Sequence, residues 1–262
     1  MFPRFPVVTK KIGFLVYDGF QMLDLSGPMC AFEMAERSSP SAPYRMQVIS
    51  MQGGSVRNTL GMAIDTVRLR RLSLDTLIVV GGERWSLGQY EVVAIQHVAA
   101  RVRRLASVCT GAFVLAQCKL LDGRRATTHW RFAGELQRDY PAVRVESNPI
   151  YITDGNVWTS AGITAGIDLA LALIEDDCGT SVAREVSQEL VVYYRRPGGQ
   201  SQFSAMLELA PESDRIRLVL SYAREHLGAV IRRTSREDCL LERPSVWTSL
   251  QGRNRGDTCK GN

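Results

Sequence analysis

Histidine is scarce in this chain: only His97, His129 and His226 occur in 262 residues. The six cysteines stand at irregular spacings and none forms a Cys-x-x-Cys pair. That spacing argues against a zinc ribbon and against a disulfide scaffold. No metal and no cofactor is expected, and free cysteines suit a reducing cytoplasm. Long apolar runs are missing too. Thr76 to Val80 and Ala165 to Ile174 are the longest, well short of the roughly 20 residues a bilayer requires. No membrane partner is therefore expected. Residues 1–11 lack an apolar stretch behind their basic residues, so no secretory signal is expected.

What is present is ordinary for a globular protein: 45% hydrophobic and 23% charged residues, enough to bury a full core. Net charge is +5, with a pI near 9.0, and the excess is uneven. From Gly228 onward seven basic residues face four acidic ones, so this end supplies +3 of the total. Such a tail suits contact with nucleic acid, although scattered arginines also fit a solvated segment.

Apolar runs and turn residues divide the chain into alternating strands and helices. Strands are expected at Lys11 to Tyr17, Tyr44 to Met51, Thr76 to Val80, Leu105 to Val108 and Arg124 to Thr128. Helices are expected at Met29 to Glu36, Gln89 to Arg104, Gly111 to Gln117, Trp130 to Tyr140, Ala165 to Glu175 and Ser181 to Tyr194. Asp154-Gly155-Asn156 signals a hairpin between Tyr151 and Trp158. This alternation implies an α/β protein with a parallel sheet and helices on both faces. In such sheets ligands bind beyond the C-terminal strand ends. Asp18 to Asp24, Gly81-Gly82 and Cys109 all fall at such ends and are expected to converge.

The domain expected over 1–196 is followed by a Pro- and Gly-rich linker at 197–212. Ser213 to Leu227 then reads as one amphipathic helix, and 228–262 as a disordered basic tail.

Ser107-Val108-Cys109-Thr110-Gly111-Ala112-Phe113 carries the most chemistry. A cysteine between a short strand and a small-residue helix sits where backbone N–H groups and the helix dipole can act on a thiol or hold an anion. A cysteine there can equally well be simple packing.

Taken with the segments Gly13–Phe20, Leu23–Pro28, Leu120–Trp130 and Thr159–Ala170, this turn resembles the ThiJ/PfpI superfamily. Within that superfamily it is most similar to the GlxA-like AraC-family transcriptional regulators. The resemblance implies a flavodoxin-like sheet that senses a small molecule, a homodimer, and a C-terminal pair of helix-turn-helix motifs that bind DNA. The DNA-contacting residues are unknown. Only some fifty residues follow Ser213, so that C-terminal domain is expected to be truncated or degenerate, leaving a short helical remnant.

By the same resemblance Cys109 is a nucleophile in the enzymes of the superfamily, with Asp24 as its acidic partner. Asp24 is also well placed to cap a helix at Ser26-Gly27-Pro28. Thr110 directly after the cysteine is similar to the isonitrile-hydratase pattern rather than to the protease branch, which has histidine there. Gly82, with Gly81, can offer N–H groups to an oxyanion or simply form a turn. His129 either lines the pocket or is structural. The expected ligand pocket is thus Cys109, Thr110, Asp24, Gly82 and His129; Cys109 and Asp24 become catalytic only if the protein is an enzyme. Cys30, Cys118 and Cys178 are expected in the core, and His97 and His226 on the surface.

Overall fold

The computed structural model describes residues 9–38, 44–69, 72–83, 86–196 and 198–200. The chain divides into two units, Met1–Ser204 and Ala205–Asn262. Most of the expected linker, the helix expected at Ser213 to Leu227, the basic tail and His226 lie outside the described residues.

In chain order the elements are β1 (Lys10–Leu15), α1 (Met22–Ser38), β2 (Tyr44–Ser50), β3 (Gly54–Arg57), β4 (Ala63–Arg68), β5 (Thr76–Val79), α2 (Gln89–Ala99), β6 (Arg104–Val108), α3 (Gly111–Gln117), β7 (Arg125–Ala126), α4 (Trp130–Asp139), β8 (Arg144–Val145), β9 (Tyr151–Asp154), β10 (Val157–Ser160), α5 (Ala165–Cys178) and α6 (Thr180–Glu189). The main sheet runs β3-β4-β2-β1-β5-β6-β10-β9. Its six inner strands are parallel; β3 and β9 pair antiparallel at the two edges. The strand order reverses between β1 and β5, and that switch point is where a doubly wound sheet opens a crevice. The fold is the flavodoxin-like α/β arrangement expected from the sequence.

Strand alternation builds two cores, one on each face. Ile12, Phe14 and Val16 point to one side, joined by Ile78, Val80, Ala106 and Val108, and pack against α1, α5 and α6. Leu15, Leu77, Val79 and Leu105 point to the other and meet α2 and α3. β1 and β5 are buried on both faces, which is why they read as continuous apolar runs.

Several boundaries differ from expectation for physical reasons. The first helix begins at Met22, not Met29, and carries Pro28 inside it. Proline has no N–H to give to the carbonyl four residues back, so the helix runs on without that bond at Asp24. The second helix stops at Ala99 because Arg103 and Arg104 are drawn into an ion-pair cluster. β3 and β4 were not foreseen: β4 has no buried face and β3 has one buried residue. No apolar alternation marks them. Cys118 is buried as expected and Cys178 partly so, but Cys30 is exposed. Its place on α1 turns outward between residues that face the core.

At the N-terminal end of the sheet the cluster is closed. Asp177, with its side chain 1% exposed, receives Arg104, Arg103 and Lys10 at 2.5, 2.8 and 3.1 Å and the Tyr44 hydroxyl at 3.1 Å. Burial alone would raise this carboxyl's pKa; the cations outweigh it and hold the pKa below the usual range.

Candidate functional site

At the opposite end of the same strands, β6 delivers Cys109 into a left-handed backbone conformation, φ 55°. A non-glycine residue there costs on the order of 1–3 kcal/mol and persists only where neighbours impose it. Two bonds do so: the Cys109 N–H donates to Ser160 O at 3.0 Å, and the Cys109 carbonyl accepts the Thr128 hydroxyl at 2.7 Å. The sharp turn places the thiol above the sheet edge while α3 begins two residues later.

Asp24 lies in the first turn of α1 and is fully buried. It does not cap that helix. Its Oδ1 accepts the Ile163 N–H at 2.6 Å. Oδ2 is buried with no partner in hydrogen-bond geometry, and the Cys109 side chain is the polar group beside it. Burial raises the Asp24 pKa to about 7, partly offset by the Ile163 N–H and the neighbouring Cys109 thiol. Burial, then the Asp24 charge, pushes the Cys109 thiol far above its ordinary value. Among the described residues, the pair shares a low-dielectric site without a cation to stabilise either anion.

Two glycines form walls by close approach. A Cβ on Gly81 would stand 2.6 Å from both Asp24 Oδ2 and Cys109 Cβ. On Gly162 it would collide with Cys109 Sγ and stand 3.2 Å from His129 Cδ2. The three strand ends singled out by the sequence therefore do meet.

Thr110 is tied on both sides to Gly82, its Oγ1 donating to the Gly82 carbonyl and accepting the Gly82 N–H, each at 2.8 Å. The Gly82 N–H is thus not free to serve an oxyanion. The N–H aimed at the thiol is that of Thr110 itself. His129 sits at the edge of the site but in a structural stance. Its Nδ1 accepts the Arg131 N–H at 3.3 Å as the cap of α4, and its ring lies near those of Trp130 and Phe132. Burial, then Arg131, holds its pKa below 6.5. The structure thus gives His129 a capping role and sets its ring beside Gly162.

Three residues of this site were not singled out as such by the sequence. Tyr17, buried two residues beyond β1, reaches Thr110. Gly162 touches the thiol, and Ile163 holds Asp24 with φ 59°, an outlier for a β-branched residue. All three lie within recognised segments, but only the three-dimensional arrangement shows their part. His97 is exposed on α2, as expected. Thr159 Oγ1 accepts the Thr127 N–H at 2.8 Å. A separate cavity of about 290 Å³, lined in part by Tyr151, Asp168, Glu175 and Tyr194, does not include Cys109. Among the described residues no cluster of three or more His, Cys, Asp or Glu could hold a metal ion, and no helix is long and apolar enough to cross a membrane.

Comparison with known proteins places this geometry in context. The model of the DJ-1/PfpI family matches residues 10–176. The chain is 33% identical over 190 residues to the HTH-type transcriptional regulator GbdR of Pseudomonas aeruginosa, a match covering 71% of this chain and 51% of that protein. It is also 33% identical over 190 residues to the isonitrile hydratase of Pseudomonas putida, covering 70% of this chain and 78% of the enzyme. Among solved structures, a ThiJ/PfpI family protein from Pseudomonas syringae superposes with a TM-score of 0.63 at 25% identity, over 78% of this chain and 86% of that one. The chain matches about half the length of the regulator.

Proposed function

The chain belongs to the DJ-1/PfpI family, and from that premise we propose that it is a cytoplasmic AraC-type regulator whose Cys109 site binds a small molecule rather than converting it. In this reading Cys109, Asp24, Thr110, Gly82 and His129 line the ligand site, the protein acts as a homodimer, and DNA is its macromolecular partner.

The observation that carries the reading is the state of the thiol. A cysteine nucleophile needs a populated thiolate, a base to make it and an open donor for the developing oxyanion. Here burial keeps the thiol protonated, the His129 Nδ1 is used as a helix cap, and the Gly82 N–H is taken by Thr110. What remains beside the thiol is one neutral N–H donor, that of Thr110, and one carboxyl that changes charge near pH 7. That suits discrimination of a small, polar, nitrogen-containing ligand.

The test is binding of the full chain to the DNA upstream of its own gene and to scrambled DNA, at near-physiological salt. High salt tolerance matters because a basic segment binds any duplex at low ionic strength. A preference for the native sequence, lost in a version ending at Tyr194, supports the regulator. Equal binding to both DNAs, or none, overturns it.

One observation favours a second reading, hydration of an isonitrile at Cys109. A carboxyl with a pKa of about 7 beside a thiol is suited to passing a proton at neutral pH. The reaction adds one water to R–N≡C and yields R–NH–CHO. Appearance of a formamide from a small alkyl isonitrile, abolished in Cys109→Ala and Asp24→Asn, would establish it. Absence of product removes it.

A further inference from the structure

Gln200 falls in the segment read from composition as linker, yet it is only 4% exposed. Its side chain is plugged behind residues 127–130. Oε1 accepts the Trp130 N–H at 2.8 Å. Nε2 faces three acceptors: Pro149 O at 2.8 Å, and Thr127 Oγ1 and Thr128 O at 3.1 Å each. The Gln200 N–H donates to Asn148 O at 2.7 Å, so both polar ends of the residue are used. A buried amide satisfied in this way fixes its surroundings, because losing it leaves several carbonyls without a donor.

The segment it grips touches the candidate site from the other side. Thr128, whose carbonyl accepts from Gln200, gives its hydroxyl to the strained Cys109 carbonyl. His129 follows and stands beside Gly162, the wall of the thiol. A second tether runs in parallel. Arg196 Nη2 meets Asp168 Oδ2 at 2.8 Å on α5, the helix that starts two residues after Ile163, the residue holding Asp24.

We propose that Gln200 is a positioning residue for the Cys109 turn, acting through Thr128. The chain that continues beyond residue 200 is thereby wired to the strained backbone under the thiol. If the Cys109 site is the sensor described above, this is the link along which ligand occupancy reaches the following segment. That last step rests on the function proposed; the wiring itself does not.

The experiment is alkylation of the full-length protein with iodoacetamide, read site by site by peptide mass spectrometry. Cys118, also buried, at the end of α3, serves as the internal reference for general opening. Gln200→Leu is expected to raise Cys109 labelling relative to Cys118 on the order of tenfold, the scale of one good hydrogen bond. Thr128→Val, which deletes only the bond to the Cys109 carbonyl, is expected to reproduce that change, and the double variant to add nothing further. A merely structural role for Gln200 would raise both cysteines together. Parallel rises, no rise at all, or Thr128→Val labelling at the wild-type ratio would each overturn the proposal. Since no ligand or DNA is involved, a negative result here is separate from failure of the sensor reading.

Discussion

The two ends of the parallel sheet each bury a carboxylate, and they treat it in opposite ways. At the N-terminal end Asp177 is surrounded by Arg104, Arg103, Lys10 and the Tyr44 hydroxyl. It stays ionised and ties α5 to β1 and β6. At the C-terminal end Asp24 has one backbone N–H and a thiol, and its pKa rises to about 7. Burial acts on both, but among the described residues only Asp177 has cations to answer it. A buried charge with a full set of partners reads as architecture, whereas one left short of partners keeps a proton within reach of neutral pH.

The contrast can be broken first at the architectural end. Arg104→Ala is expected to cost about 3–5 kcal/mol, because it strips a buried carboxylate of a close partner. Denaturant titration measures this. The Asp177 pKa is lowered in the folded state, so its stabilisation is present above the unfolded value of about 3.9 and is lost as pH falls through the folded one. The Arg104 variant is therefore expected to show a weaker loss of stability in acid than wild type.

Asp24→Asn sharpens the other side. A raised folded pKa means the native state holds a proton that the unfolded chain has given up. Stability from this group is full below the unfolded value and declines as pH rises toward about 7. The shift corresponds to about 4 kcal/mol across that window. Asparagine keeps the acceptor for Ile163 without a charge to bury. The variant is expected to lose the decline between pH 4 and 7 and to be the more stable protein at pH 8, as followed by thermal melts across pH. An unchanged profile would mean that Asp24 is not the titrating group.

A smaller effect is expected at Thr110→Val. The valine leaves the Gly82 N–H and carbonyl without their partner, at a cost of about 1–3 kcal/mol. Hydrogen exchange at Gly82 is expected to speed up along with the loss of stability. Protection at Gly82 equal to wild type would show that another group satisfies it.

The sequence made the C-terminal site end more legible than its details. Strand Leu105 to Val108, followed by cysteine and a run of small residues, marks the turn because each element has its own local signal. Convergence of Asp24, Gly81 and Cys109 follows from parallel topology alone. What the pattern could not carry was longer in range. Pro28 looked like a helix boundary, although a missing N–H inside a packed helix is tolerated. The β3–β4 edge has almost no buried face, so no periodicity marks it. Gln200 sits among Pro and Gly and reads as linker, yet tertiary hydrogen bonds bury it. The strain at Ile163 has no compositional mark, since it exists only because Asp24 and the thiol wall demand that backbone.

The most direct test of the unactivated thiol is the pH–rate profile of Cys109 carboxymethylation, resolved by peptide, with exposed Cys30 as reference in the same protein. The account predicts that Cys109 reacts slowly at neutral pH. Its rate should keep climbing above about pH 8.5, the ordinary thiol range, because burial raises the Cys109 thiol. A Cys109 rate that reaches its plateau at or below pH 7 would mean a stabilised thiolate, and would contradict a site that binds without attacking.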